Sequence, residues 1–535
     1  MMELYSSGLA AIVGSASFFF YFHHGEHHMR APLYVQIFVF AHLVSTAALI
    51  YLSDAKVYDA FSSVSAVAGS WLLGAIGSCL IWRAFFNPLN KFPGPWMARI
   101  FKFYMSYRLR NMDSYYMLTD LHAKYGPYLR VGPNDLSIVD PDAMQLAYGP
   151  NATVTKSEWY DSGAPHHSMH TAREKAVHDL RRRYWAPAFS DKALRDYEGI
   201  IQEFNSKLLE KIDDFHGGPV NVTKWFNLYS FDVMGRLAFG KDYNMLGSGE
   251  RHWALDLLTE GMQLAAFNPP MWLFRVALEI PFLTAGFHRF IKFCADEVKW
   301  RVERGDKDGS RDITGWILKA YKGHEDPASD IYLVGDARLI IVAGSDTSAA
   351  TFTYLFYHLA ADPAQLEKLR AELRPLTKGE WSDKDIQNAE HLNGAINETL
   401  RLHPPVPSGV SRKTAPEGLQ INDVYVPGNV HFVIPQYPMG RGGYYVALQM
   451  GRLADPVTDE AIYEDASSFI PERWYSKPGM VKRSDAFAPF SKGPYGCIGA
   501  NRESNAIKDY NTVMLMCNSC SYGAPQFDCP AGYEI

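Results

Sequence analysis

Near the end of this 535-residue chain stands Pro489-Phe490-Ser491-Lys492-Gly493-Pro494-Tyr495-Gly496-Cys497-Ile498-Gly499. So many glycines beside a proline rule out the interior of a helix or a regular strand. Glycine loses the most backbone freedom on folding, and proline lacks the N–H and fixes φ. The stretch therefore predicts a tight loop that ends on a thiol and passes close to something flat. A thiolate presented from such a loop suits a soft metal, and haem iron takes a ligand of this kind. A cysteine in a turn can equally be a small buried packing residue.

The remaining chain is ample for a large body around that loop. Hydrophobic residues make up 47% of it, enough for an extensive core. Its 52 Lys and Arg against 58 Asp and Glu give a net charge of −6. There is no basic field, which speaks against nucleic acid as a partner. The six cysteines (79, 294, 497, 517, 520 and 529) are too few for a secreted disulfide framework and fit a reducing compartment.

The N-terminus is membrane material. Gly8–Phe22, Leu33–Leu52 and Ala60–Trp82 are apolar, and the latter two approach the ~20 residues a bilayer requires. We read three spans, with one or two as the fallback. Arg83, Lys91, Arg99 and Lys102 follow the last of them, which puts the main body on the cytosolic side. The loop His23-His24-Gly25-Glu26-His27-His28 could bind metal but reads more simply as a polar connector. Phe92-Pro93-Gly94-Pro95 ends the anchor, because no helix crosses it. The chain divides into an anchor (1–90), a main domain (91–500) and an atypical tail (501–535). Tyr128–Val139, interrupted by Gly132-Pro133-Asn134-Asp135, alternates like a two-stranded unit. From about Asp191 onward helix follows helix, so the fold is mainly α with small peripheral sheets.

Three internal stretches carry chemistry. His178 and Arg182 lie one turn apart on a helix face, in a run, His178-Asp179-Leu180-Arg181-Arg182-Arg183-Tyr184-Trp185, that could also be a solvated basic surface. Ala343-Gly344-Ser345-Asp346-Thr347-Ser348 interrupts an apolar helical pattern. Glycine is costly there, and a hydroxyl bonding back to the backbone can open the helix locally. An acid beside an alcohol can then relay protons to a buried site. Glu398 and Arg401 can pair at i, i+3 just before Pro404-Pro405 stop their helix.

Taken in order with the spacing Phe490-x-x-Gly493-x-x-x-Cys497-x-Gly499, these elements closely resemble the cytochrome P450 family, most of all its membrane-bound fungal members of secondary metabolism. The resemblance runs from about Phe92 to Gly499. It implies a P450 fold holding haem b, with Cys497 as metal ligand and axial thiolate, whose electron donation favours O–O cleavage. It implies that His178, Arg182, Arg412, Phe490, Tyr495 and Gly499 contact the cofactor. Asp346 and Thr347 would deliver protons beside Gly344, and Glu398 would join Arg401 and Arg473 (of Pro471-Glu472-Arg473-Trp474) in a buried cluster. The reaction implied inserts one oxygen atom from O2 into a hydrophobic small molecule, by hydroxylation or epoxidation. Electrons would come from NADPH through a membrane cytochrome reductase docking near the cysteine loop. The implied location is the endoplasmic reticulum membrane, with the catalytic domain in the cytosol.

The chain departs from the family in three places. Tyr495 stands where Arg or His is usual, so a phenol hydrogen bond would replace one propionate contact. Met439–Glu460 lengthens a connector. After Ala500 the sequence turns polar, and Cys517-x-x-Cys520 with Cys529 makes an incomplete zinc set. Met439–Glu460 and 501–535 therefore read as unspliced or frameshifted translation. Two rivals follow: a reductase-independent isomerase or dehydratase, against which Asp346-Thr347 tells, and a non-catalytic relative with a disrupted C-terminus.

Overall fold

The computed structural model describes residues 2–111, 113–306, 312–321, 330–377, 382–442 and 461–500. Three helices, α1 (Met2–Ser17), α2 (Ala31–Ser53) and α3 (Val57–Ile81), open the chain. A Cβ at Gly14 would fall 2.0 Å from the Trp71 carbonyl oxygen, and one at Gly74 equally close to that of Ala11. The backbones of α1 and α3 thus approach through small residues, as helices do where lipid supplies no hydrophobic drive. Among the described residues four helices could cross a membrane by length and composition: Tyr5–Phe22, His28–Ser53, Val57–Lys91 and Ile331–Ala361. The fourth buries Leu333, Ala337, Ile340, Phe352 and Leu355 in the main core and is a core helix.

The loop between α1 and α2 corrects one expectation, for it is more than a connector. Glu26 accepts hydrogen bonds from Arg173 and Lys413, and His28 Nε2 lies 2.8 Å from Asp161.

The body is mainly helical. Its elements used below are α4 (Lys175–Trp185), α5 (Val222–Phe239), α6 (Met271–Leu278), α7 (Ile331–Ala361), α8 (Glu390–Leu402) and α9 (Gln436–Gly440). Asp330 caps α7 by accepting from the Tyr332 and Leu333 amides, which satisfies donors orphaned at a helix start. The helix runs unbroken to Ala361, so the local opening expected near Gly344 does not occur. Ser345 and Thr347 do bond back, to the Ile341 and Ala343 carbonyls at 2.5 and 2.6 Å, but a hydroxyl can share a carbonyl without displacing the helical amide.

The strands form a five-stranded sheet in the order β1-β2-β7-β4-β3 and a two-stranded one, β5-β6. They span Tyr128–Gly132, Asp135–Ile138, Thr155–Lys156, Arg412–Lys413, Leu419–Ile421, Val424–Val426 and His431–Val433, numbered in chain order. β1 and β2 are the hairpin expected around Pro133-Asn134. In the β3–β4 pairing Lys156 stands directly opposite Arg412, an arrangement of like charges that costs stability unless something between them is negative.

The predicted cluster at the end of α8 is complete. Glu398 is fully buried and accepts from Arg401 Nε and Nη2, Arg473 Nε, Trp474 Nε1 and the Ile470 amide, all at 2.7–2.9 Å. The guanidinium groups spend their other donors on carbonyls: Arg401 on Gly440, Ala466 and Ser468, Arg473 on Glu464 and Asp465. One carboxylate thereby ties α8 to the segment leading into the cysteine loop. The same bonds correct the boundary placed at Met439. Met439 is buried in a core cluster and Gly440 supplies a carbonyl that Arg401 needs, so these residues belong to the fold. Residues 443–460 and 501–535 lie outside the described ones.

Burial would raise the Glu398 carboxyl, but Arg401 and Arg473 hold it below its ordinary value of 4.5. A depressed folded-state value means stability present above that pH and lost as pH falls through the lower one. Glu398→Gln should leave two buried guanidinium groups uncompensated and lower the unfolding free energy by roughly 3–5 kcal/mol, measured by urea titration at neutral pH. The deficit should shrink as the pH is brought below 4.

Candidate functional site

The cysteine loop lies beside α7 around a cavity of about 850 Å³, lined by Cys497 together with Ala343, Gly344 and Thr347. The loop is held by its own backbone. The Cys497 amide donates to the Phe490 carbonyl at 2.8 Å and the Gly496 amide to that of Gly493 at 3.0 Å. Gly493 takes φ +65°, where a Cβ would fall 2.5 Å from the Tyr148 carbonyl oxygen, so only glycine fits that turn. Cys497 is exposed, and Phe490, Tyr495 and Gly499 line the same cavity.

α4 contributes His178 and Arg182 to the cavity wall. Arg182 Nη1 donates to the Gly496 carbonyl at 2.7 Å, which fixes the residue before the thiol. The His178 ring meets Tyr495 edge-on at 4.7 Å, and burial lowers its pKa. The basic run is therefore no solvated face. Arg181 turns the other way and forms a buried ion pair with Asp336 of α7, which also accepts from Trp185 Nε1 and the Met169 amide at 2.9 Å each. That carboxylate pins α4 and the preceding segment onto α7.

The opposite strands bring two more cations. Arg412 is buried, donates to the Tyr160 hydroxyl at 2.7 Å, and leaves its Nε without an acceptor. Lys156, also buried, donates to the Met169 and His170 carbonyls at 3.1 and 2.6 Å. Burial, with Arg412 and Arg182 nearby, pulls its ammonium down to about 6. Lys156 lay beyond sequence reasoning, since a lysine in a two-residue strand carries no signal of its own. Lys156 and Arg412 stack on the Tyr495 ring, 5.0 and 5.3 Å from its centroid.

Asp346 is not among the residues lining the cavity, whereas Thr347 is. Burial raises the Asp346 carboxyl, and Arg251 only partly offsets it.

This donor set fits haem. A flat ring with a central iron and a pair of carboxylates needs a thiol facing apolar walls and cations at one edge. Cys497, the walls built from Met234, Leu237, Leu339 and Leu400, and the group Lys156, Arg182 and Arg412 meet that need.

The comparisons agree. A family model described as Cytochrome P450 matches residues 91–501. Tryprostatin B 6-hydroxylase of Aspergillus fumigatus is 40% identical over 502 residues, covering 92% of this chain and 86% of its own. Cytochrome P450 monooxygenase lcsK of Purpureocillium lilacinum is 41% identical over 500 residues, covering 92% and 88%. Cytochrome P450 monooxygenase notG' of Aspergillus versicolor is 40% identical over 496 residues, covering 92% and 88%. A crystal structure of the cytochrome P450DA heme domain superposes with a TM-score of 0.60 at 17% identity, over 75% of this chain and 84% of that one, a likeness of fold. The chain belongs to the cytochrome P450 family of haem-thiolate monooxygenases.

Proposed function

We propose that this protein draws electrons from NADPH through a membrane flavoprotein reductase and hydroxylates or epoxidises an apolar secondary metabolite at the cavity described above. The observation that carries this reading is one cavity lined by the Cys497 thiol, the Thr347 hydroxyl and the basic side chains of Lys156, Arg182 and Arg412. The three N-terminal helices would hold it in the endoplasmic reticulum membrane, with Arg83, Lys91, Arg99 and Lys102 keeping the body cytosolic.

Haem b bound here would supply the oxidation chemistry, and the protein supplies placement and proton control. Cys497 would hold the iron through its thiolate. Arg182, Arg412 and Lys156 would neutralise the carboxylates at the ring's edge, with Tyr495 as the surface on which two of them stack. Thr347 Oγ1 would pass a proton into the cavity. Asp346, whose carboxyl burial raises above its ordinary value, would resupply it from outside the lining. Apolar side chains exclude water from the reacting end and select a greasy substrate. One relative is named for 6-hydroxylation of tryprostatin B, which makes that compound the first substrate to try.

Cys497→Ala should abolish the thiolate signature in the reduced carbon monoxide spectrum; an unchanged spectrum would assign the ligand elsewhere. Thr347→Ala should let NADPH oxidation continue with little product, whereas Thr347→Ser should stay coupled. Equal coupling in wild type and Thr347→Ala would remove that hydroxyl from the proton path. Lys156→Met should speed haem transfer to apomyoglobin by roughly tenfold to a hundredfold, the loss of one hydrogen bond to a charged group. An unaltered rate would seat the carboxylates away from β3.

A further inference from the structure

We propose that Glu26 and His28, on the loop between α1 and α2, are positioning residues that clamp the segment 157–173 forming one wall of the active-site cavity. Glu26 accepts from both terminal nitrogens of Arg173 at 2.8 Å and from Lys413 Nζ at 2.8 Å. Arg173 continues the network, pairing with Asp161 and donating from Nε to the Lys156 carbonyl at 3.2 Å. His28 Nε2 lies 2.8 Å from Asp161 Oδ2, the oxygen that Arg173 also meets, and its Nδ1 is 3.4 Å from Glu158. Three members of the body-side set adjoin a residue of the wall. Asp161 follows Tyr160, Lys413 follows Arg412, and Arg173 holds the strand residue whose ammonium reaches into the cavity.

The neighbouring helix adds a second hold. α6 packs against α2 and the turn after the loop, and its Arg275 donates to the Ala164 carbonyl at 2.7 Å. The anchor therefore touches both the wall segment and α6, which itself bonds to that segment. A metal at this cluster is the weaker reading. The ligand atoms of Glu26, His28 and Asp161 lie within 4.8 Å of one another, but Arg173 and Lys413 already occupy the carboxylate oxygens. Burial would raise the Glu26 carboxyl, and those two cations bring it down to about 2, as expected of a bidentate guanidinium pair.

The contact also has a topological consequence, which rests on the proposal that the N-terminal helices cross a membrane. The loop must share the body's side, and the short turn between α2 and α3 must lie on the other.

Two measurements test the clamp. In the purified holoenzyme, Glu26→Gln should raise amide hydrogen exchange over 157–173 by about tenfold while leaving α7 unchanged, and Glu26→Asp should restore most of the protection. Unchanged exchange in 157–173 overturns the clamp. In sealed microsomes treated with a membrane-impermeant maleimide and read by peptide mass spectrometry, His24→Cys and Ser206→Cys should label from one side and Lys56→Cys from the other. His24→Cys siding with Lys56→Cys also overturns it. If all three label alike, the helices do not cross and the membrane reading fails; the exchange measurement then decides the clamp by itself.

Discussion

A carboxylate with no exposure to water holds this protein's catalytic half together. Glu398 sits among two guanidinium groups, an indole N–H and a backbone amide. Taking three charges out of water is expensive, and the arrangement is tolerable only because almost every donor has an oxygen to meet. That need reaches far along the chain. Arg401 requires the carbonyls of Gly440, Ala466 and Ser468, and Arg473 those of Glu464 and Asp465. The segment leading to the cysteine loop is consequently wrapped around two side chains. Cys497 inherits its position from this wrapping, with Gly493 closing the turn against Tyr148 and Arg182 gripping the Gly496 carbonyl.

The opposite wall follows a different logic. There the chain sets two buried basic side chains, Lys156 and Arg412, opposite one another across two strands. A cross-strand Lys156–Arg412 pair would be a defect in a purely structural sheet, and the orphaned Arg412 Nε compounds it. Both features would be relieved by an anion in the cavity, and binding one would stabilise the folded state by the linkage that holds for any ligand of that state.

Much of this was legible in the sequence, for reasons that can be named. Glu398 and Arg401 announce themselves because helix spacing and the following prolines fix their geometry locally, whereas Arg473 came only with the family resemblance. The cysteine loop is legible because glycine and proline restrict the backbone wherever they stand. What escaped reading depends on distant chain segments meeting. Lys156 matters because β3 pairs with β4, some 250 residues on. Arg181 is distinguished from Arg182 only by Asp336 on another helix. The start of the lengthened connector was placed too early because nothing local shows that Arg401 consumes the Gly440 carbonyl. Thr347 was legible as an alcohol in a helix, but the helix's continuity was not, since a shared carbonyl and a broken one begin from the same residues.

The two logics together bias the choice between monooxygenase and isomerase chemistry within a haem-thiolate frame. A catalyst that only rearranges a substrate has no need of a proton donor aimed into an otherwise greasy chamber. Here the cations gather around Tyr495, while the hydroxyl of Thr347 stands on α7 among Ala343 and Gly344. A flat amphipathic dianion can satisfy that asymmetry with its charged edge toward Lys156 and Arg412 and its apolar body toward α7. In that orientation α7 offers the cavity the hydroxyls of Thr347 and Ser348, and burial raises the carboxyl of the neighbouring Asp346. A desolvated acid costs the helix stability, and the proton delivery proposed above would account for keeping it.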